Sequence, residues 1–340
     1  GTEKYNAERS SVRQHDAATS TSHASPGMGL AVRVLVLGGT GFIGPPLVRL
    51  LVDKSHEVAV FNRGETADSL PAAVQRIRGE LGQAAAAAEA WARFDPEVAV
   101  YMTPWGEADT RQVSDALVGI ADRVVGLSSC DVYRALGRVN RFEQGPPEEV
   151  PLKESAALRQ RHFLYRDQAE GPQDWRYGYE KILAERVLLG NPDLPATVLR
   201  LPAIYGAGDP MHRLFPYLKR MDDGRPAILL DRFLAGWRWC RGHVENVAAA
   251  IALAVELKAA SGRVYNVADP QALTEAEWVR QIGRLAGWQG EVVEVGLERL
   301  PRHLRQEGDF SQDLSIDSGL IRRELGYAEK LAPDQWLARA

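Results

Sequence analysis

Residues 175–185 read WRYGYEKILAE, with Tyr177 and Tyr179 just ahead of a single lysine, Lys181. A phenol beside an ammonium can give and take a proton, because the positive charge favours the phenolate and lowers a tyrosine pKa from its ordinary value of about 10. Spacing selects between the two tyrosines. From Tyr177 the apolar residues recur at roughly helical intervals up to Gly190, a stop signal, which predicts a helix over 177–189. On a helix, positions i and i+4 share a face and i and i+2 do not. Tyr177 and Lys181 are therefore expected to point into one pocket and Tyr179 elsewhere. The same spacing also arises as an ordinary surface pair, so the surrounding elements have to discriminate.

A second chemical signature lies near the start of the globular part. In LGGTGFIG, Gly38, Gly41 and Gly44 fall three apart, after the apolar run VRVLVL and before a helical pattern. Glycines there allow a tight turn and close backbone approach to a pyrophosphate, and the helix N-terminus adds N–H donors and a positive dipole end. This predicts dinucleotide binding. An acidic residue usually ends the second strand of such a unit and holds the adenosine ribose hydroxyls. Here the segment reads FNRG, placing Asn62 at that position and Arg63 after it. Loss of the carboxylate removes repulsion toward a 2′-phosphate, and an arginine can pair with one. NADP is thereby favoured over NAD; a solvated Arg63 with NAD bound is the bland alternative.

The elements that must carry these groups follow from periodicity. Short apolar runs at VRVLVLGG, EVAVFN, VQRIRGE, EVAVYMTP, RVVGLSS and ATVLRLP read as strands. Helical patterns separate them at PPLVRLLVDK, AAAAAEAWARF, DTRQVSDALVGI and 177–189. Alternation of this kind implies a Rossmann-type, doubly wound parallel sheet in the α/β class. Beyond 208 the pattern loosens into a helix near 211–221, a strand AILL, a helix VENVAAAIALAVEL, GRVYNVAD, and a helix capped by Thr274 with Glu277. That reads as a smaller C-terminal α+β substrate lobe. The expected division is residues 1–29 as a disordered tail or added remnant with Met28 as a candidate start, 30–205 with return segments near 236–270 as the NAD(P)-binding domain, and 206–340 mainly as the lobe.

Composition narrows the class. Hydrophobic residues at 45% and charged residues at 25% suit a soluble globular chain, and a net charge of −4 gives no general attraction to nucleic acid or an anionic membrane. Cys130 and Cys240 are too few for a disulfide framework or a cysteine metal site, which fits a cytoplasmic location. No run approaches the ~18 apolar residues of a membrane span. No G-x-S-x-G elbow points to a serine hydrolase, no His/Asp/Glu cluster has metal spacing, and nothing suggests nucleic-acid readout.

Together, GGTGFIG, RGE at 78–80, SSCDVY at 128–133, YGYEK at 177–181, LRLPAIYGAGD at 199–209 and RGHVENVAAAI at 241–251 occur in the order that marks the extended short-chain dehydrogenase/reductase superfamily. The chain resembles its NAD-dependent epimerase/dehydratase branch over residues 32–330. The resemblance implies Ser129, Tyr177 and Lys181 as the catalytic set. Ser129 would hydrogen-bond the substrate oxygen, with Ser128 the buried neighbour. Tyr177 would be the acid/base, and Lys181 would hold the nicotinamide ribose and depress the Tyr177 pKa. It places Gly38, Gly41, Phe42, Ile43 and Gly44 about the pyrophosphate, Glu80 and Leu81 by the adenine, Met102 and Thr103 on the adenosine side, and Pro202 by the carboxamide. The implied chemistry is hydride transfer at a carbinol or carbonyl carbon of a small molecule, a sugar or sugar-nucleotide-like alcohol.

Departures from that pattern keep other outcomes open. Ala203 and Ile204 stand in the stretch where sugar-nucleotide enzymes carry an asparagine, which puts a nucleotide-sugar substrate in doubt; epimerisation or dehydration is the leading expectation, with a one-way NADP-dependent carbonyl reductase on a non-nucleotide substrate as the alternative. A non-catalytic dinucleotide sensor is the third outcome, opposed by the intact Ser129, Tyr177 and Lys181. The polar connection 134–175 holds Arg159, Arg161, His162, Tyr165 and Arg166, candidate ligands for an anionic substrate or simply a solvated face. Arg241 and His243 are candidates to reach the pocket, against structural pairing. The resemblance implies a homodimer through helices near 107–120 and 177–189, with Val113, Leu117, Leu183 and Val187 either supplying the interface or facing the sheet.

Overall fold

The computed structural model describes residues 31–65 and 69–330 together with Gln335 and Leu337. The expectation for residues 1–29 lies outside them. In chain order the first half comprises β1 (Arg33–Leu37), α1 (Gly44–Asp53), β2 (Glu57–Asn62), β3 (Gln75–Arg78), α2 (Ala84–Phe94), β4 (Val98–Tyr101), α3 (Glu107–Leu117), β5 (Arg123–Ser129) and α4 (Arg134–Val139). Then come α5 (Trp175–Gly178), α6 (Lys181–Leu189), β6 (Ala196–Leu201), β7 (Ala203–Tyr205), α7 (Phe215–Asp222), β8 (Ala227–Asp231) and α8 (Arg232–Gly236). The chain continues through β9 (Arg241–His243), α9 (Val244–Glu256), β10 (Val264–Asn266), α10 (Glu275–Leu285), β11 (Glu291–Val295) and α11 (Gly319–Leu325).

Seven strands form one sheet in the order β10-β6-β5-β4-β1-β2-β3, every pairing parallel. Both faces are covered, so the strands are apolar throughout rather than alternating. Along β1, Val34 and Val36 enter the core beneath α1 and α9, while Leu35 and Leu37 enter the core beneath α2, α3 and α6. The strand order reverses between β1 and β4. In an open parallel sheet the crevice at the carboxyl ends of two such strands is where a ligand binds.

After β6, the short pair β7–β9 and the separate pair β8–β11 lead into the smaller lobe. Tyr217, Met221, Ile228, Trp278 and Ile282 make its core. Strand β11 is not foreseen by periodicity: its residues are half-buried to exposed, and its partner lies some sixty residues earlier. The helix expected near 211–221 begins only at Phe215. Asp209 accepts hydrogen bonds from the amides of Met211 and Arg213 and pairs with the Arg213 guanidinium, winding that stretch into a turn. The capping box at the start of α10 forms as expected, with Thr274 and Glu277 bonded reciprocally.

One expectation bearing on the site is overturned. Residues 177–189 are not one helix. Helix α5 ends at Gly178, Tyr179 (φ −63°, ψ 109°) and Glu180 (φ −155°, ψ 91°) are extended, and α6 starts at Lys181. The cause is competition for the groups that would continue the helix. The Glu180 amide donates to Trp105 O at 2.7 Å, and the Glu180 carboxylate caps α6 by accepting from the Ile182 amide at 3.0 Å.

No helix among the described residues is long and apolar enough to cross a membrane. Val113 and Leu117 are buried against the sheet and α3 packs on α6, while Leu183 and Val187 are half-buried.

Candidate active site

The glycine turn lies at the point where the strand order reverses. Gly38 (φ +108°) and Gly39 (φ +69°) adopt backbone that L side chains rarely reach. A Cβ on Gly38 would meet the Met102 side chain at 3.1 Å, so the turns after β1 and β4 touch there. A Cβ on Gly44 would lie 2.2 Å from the Gly39 carbonyl oxygen, so the turn closes onto the first residue of α1 only with glycine. A Cβ on Gly41 would meet nothing within 4 Å, so that position leaves open space beside the helix start.

In front of this turn opens a cleft of about 1110 Å³. Gly38, Gly41, Ile43, Gly44, Asn62, Arg63, Glu80, Leu81, Met102 and Thr103 line it, all of them expected cofactor contacts. The opposite wall is Glu170–Arg176, the end of the long polar connection, together with Trp105. A volume of this size, a glycine cradle and the N-terminus of α1 fit a dinucleotide. Phe42 is half-buried near Gly208, and Pro202 is buried against Gly242; neither lines the cleft.

The catalytic candidates stand behind Trp105. Ser129 ends β5, and its hydroxyl oxygen accepts from the Asp131 amide at 3.1 Å. Ser128 is buried and donates to Glu185 at 2.6 Å, the structural role expected of it. Lys181 is buried; its ammonium donates to Pro104 O at 2.9 Å and Leu127 O at 3.2 Å and sits 5.0 Å from the Trp105 ring centre. Burial lowers its pKa from 10.5 to about 8, against the opposing pull of Asp109, Asp131 and Glu185.

The two tyrosines divide. Tyr177 is 41% exposed, and the Arg166 guanidinium stacks between its ring and that of Phe163, at 4.7 and 3.5 Å. The broken helix leaves it off the face that carries Lys181. Tyr179 is buried and donates to Asp131 at 2.9 Å. Burial first, then the Asp131 charge, pushes its pKa well above the ordinary value and holds the phenol protonated. Its ring joins Trp105, Trp175 and Tyr165 in a cluster with centroids 5.3–6.2 Å apart.

The basic residues of the connection are used internally. Arg159 pairs with Glu180 at 3.0 Å with neither side chain exposed, and it also donates to the carbonyls of Asp131 and Arg161. Arg161 pairs with Asp167, and Tyr165 donates to Asp131. In the lobe, Arg241 pairs with Glu275 over the Trp278 ring, and His243 caps α9 through the Glu245 amide. Arg241 thus takes the structural pairing weighed for it, whereas Arg159 is buried rather than part of a solvated face. Trp105, Asp131 and Glu180 are the participants that sequence reasoning missed. Their defining contacts, Glu180 to Trp105 O and to Arg159, and Asp131 to Tyr179, join residues distant in sequence and leave no spacing signal.

With the geometry described, comparison with known proteins identifies the lineage. Residues 34–268 match the model of the NAD dependent epimerase/dehydratase family. The chain belongs to that family. Within the family's reach, it is 26% identical to the 2′-dehydrokanamycin reductase of Streptomyces kanamyceticus over 89% of this chain and 79% of that protein. It is 30% identical to the 2-alkyl-3-oxoalkanoate reductase of Stenotrophomonas maltophilia over 74% of each. The Bordetella bronchiseptica enzyme WbmG in complex with NAD shares the fold, with TM-score 0.66 and 19% identity over 93% of this chain and 94% of that one. Family and relatives together make this an NAD(P)-dependent enzyme of the oxidoreductase or epimerase kind.

Proposed function

We propose that the chain is an NADP-dependent reductase of ketone carbonyls on non-nucleotide substrates. The observation that carries this reading is the end of β2. Asn62 stands there without a carboxylate, and its side-chain oxygen is occupied by the Gly64 amide at 2.8 Å. A 2′-phosphate would meet no fixed negative charge from that residue. The names of the two reductase relatives point the same way, as do Ala203 and Ile204, which offer no side-chain donor to a substrate diphosphate.

When bound, the dinucleotide supplies the hydride for the carbonyl carbon. The residues of the chain then handle the oxygen. Ser129, whose oxygen is fixed by the Asp131 amide, donates its own O–H to the carbonyl. Tyr177 would deliver the proton, and Lys181, whose ammonium now rests on the Pro104 and Leu127 carbonyls, would hold the ribose and face the phenol. This requires residues 175–181 to join as one continuous helical segment of about two turns in the working complex, closing the two-residue break at Tyr179 and Glu180.

A second reading makes Tyr179 the donor, because its hydroxyl lies beside Asp131 and Ser129. Its proton is already committed to the Asp131 carboxylate, which favours Tyr177. The experiment is NADPH oxidation against a panel of 3-oxo acids and keto sugars with Tyr177→Phe and Tyr179→Phe. Tyr177→Phe is expected to lose turnover by roughly 10²–10⁴-fold with NADPH binding retained. Full turnover in Tyr177→Phe rejects it as the acid. NAD released in stoichiometric amount from denatured protein would instead indicate a recycled cofactor and an epimerase or dehydratase.

A further inference from the structure

We propose that Arg78, rather than Arg63, is the principal side chain that reads the 2′-phosphate of NADP; this rests on the NADP reading above. Strands β2 and β3 are in parallel register with Asn62 opposite Arg78, so Arg78 emerges on the same edge as the residue that ends β2. Its side chain lies across Gly64, where a Cβ would come within 3.0 Å of Nε. Gly64 has φ +74° and no side chain, and both features make room for the guanidinium. Gly64, on which the Arg78 side chain lies, and Gly79, its neighbour in sequence, both line the cleft.

Charge separates the two arginines. Arg63 is paired with Glu65 at 3.1 Å, an exposed pair in which a cation and an anion cancel. Arg76, on the same strand, spends its guanidinium on the carbonyls of Val74 and Leu70. The Arg78 guanidinium has neither a hydrogen bond nor an ion pair among the described residues. It is a planar cation laid on glycine backbone, presenting a fork suited to two phosphate oxygens at once. The carboxylates lining the cleft among the described residues are Glu65, held by Arg63, Glu170 and Asp174, held by Arg176, and Glu80. A dinucleotide ending in a bare 2′-hydroxyl would leave Arg78 unmatched; one ending in a 2′-phosphate would neutralise it.

The test is equilibrium binding to the whole protein, with adenosine 2′,5′-bisphosphate and 5′-AMP as probes and with NADPH and NADH, for wild type, Arg78→Met and Arg63→Met. Arg78→Met is expected to weaken the bisphosphate and NADPH by roughly ten- to a hundredfold while 5′-AMP and NADH are unchanged. Arg63→Met is expected to cost less. Arg78→Lys should recover part of the loss. Equal loss for phosphorylated and unphosphorylated probes, or no loss in Arg78→Met, overturns the assignment. A wild-type protein that does not prefer NADPH rejects the NADP reading itself, a result distinct from a preference that survives Arg78→Met.

Discussion

Arg159 and Glu180 form an ion pair that no solvent reaches, and each partner holds a different part of the site. Arg159 donates to the carbonyl of Asp131, two residues beyond Ser129. Glu180 accepts from the Phe163 and Ile182 amides and immediately precedes Lys181. The pair therefore fixes the turn that carries Ser129 relative to the helix that carries Lys181. Removing one partner of such a pair strands a buried charge, which typically costs about 3–5 kcal/mol. Arg159→Met is expected to show that loss in chemical denaturation. Glu180→Gln, which keeps the shape and the cap acceptor, should lose stability as well. The double Arg159→Met/Glu180→Gln variant should recover much of it, and strictly additive losses would show that the two side chains are not coupled.

Gly41 and Gly44 separate a binding role from a folding role. Gly44→Ala places a methyl 2.2 Å from the Gly39 carbonyl oxygen, so it should lower the melting temperature and abolish dinucleotide binding together. Gly41→Ala meets nothing within 4 Å. It should keep the wild-type melting temperature and weaken NADPH in a fluorescence titration, because the methyl occupies the space left for the pyrophosphate. A Gly41→Ala protein that binds NADPH normally would exclude this turn as the phosphate cradle.

Lys181 gives the protein a signature in alkaline solution. Its pKa is about 8 in the folded chain against an ordinary 10.5. Between those values the unfolded chain keeps a proton that the native state has released. Stability attributable to Lys181 therefore rises with pH across that window, by roughly 3 kcal/mol if the whole window is spanned. Urea denaturation at pH 7 and pH 9.5 should show a rise that Lys181→Met lacks. Turnover that depends on the ammonium should decline above pH about 8. Identical pH slopes in the wild type and Lys181→Met would place the lysine in water rather than in the interior.

Much of the fold was legible because it depends on neighbours in sequence. The glycine turn, the apolar parallel strands and the Thr274–Glu277 cap are local signals, and each appears where its residues stand. The helix break at Tyr179 was not legible, because nothing within the helical pattern produces it. It is imposed by Trp105 O, by Asp131 and by Arg159, and the last of these is 21 residues away along the chain. Helical spacing put Tyr177 and Lys181 on one face; a buried carboxylate between them is better satisfied by its distant arginine and by capping the following turn. The basic residues of the connection misled in the same manner. Their charge is visible in the sequence, whereas the partners that absorb it are not.

The ammonium of Lys181 rests on two main-chain carbonyls, those of Pro104 and Leu127, rather than on a carboxylate. Its seat is thus written in the course of the backbone where the chain leaves β4 and passes along β5. Substitutions at positions 104 and 127 that preserve that course leave both acceptors in place, so sequence drift among the lysine's immediate neighbours has little leverage on where the cation sits. The seat is buffered against point mutation in a way that a side-chain ion pair, which a single codon change can dissolve, is not.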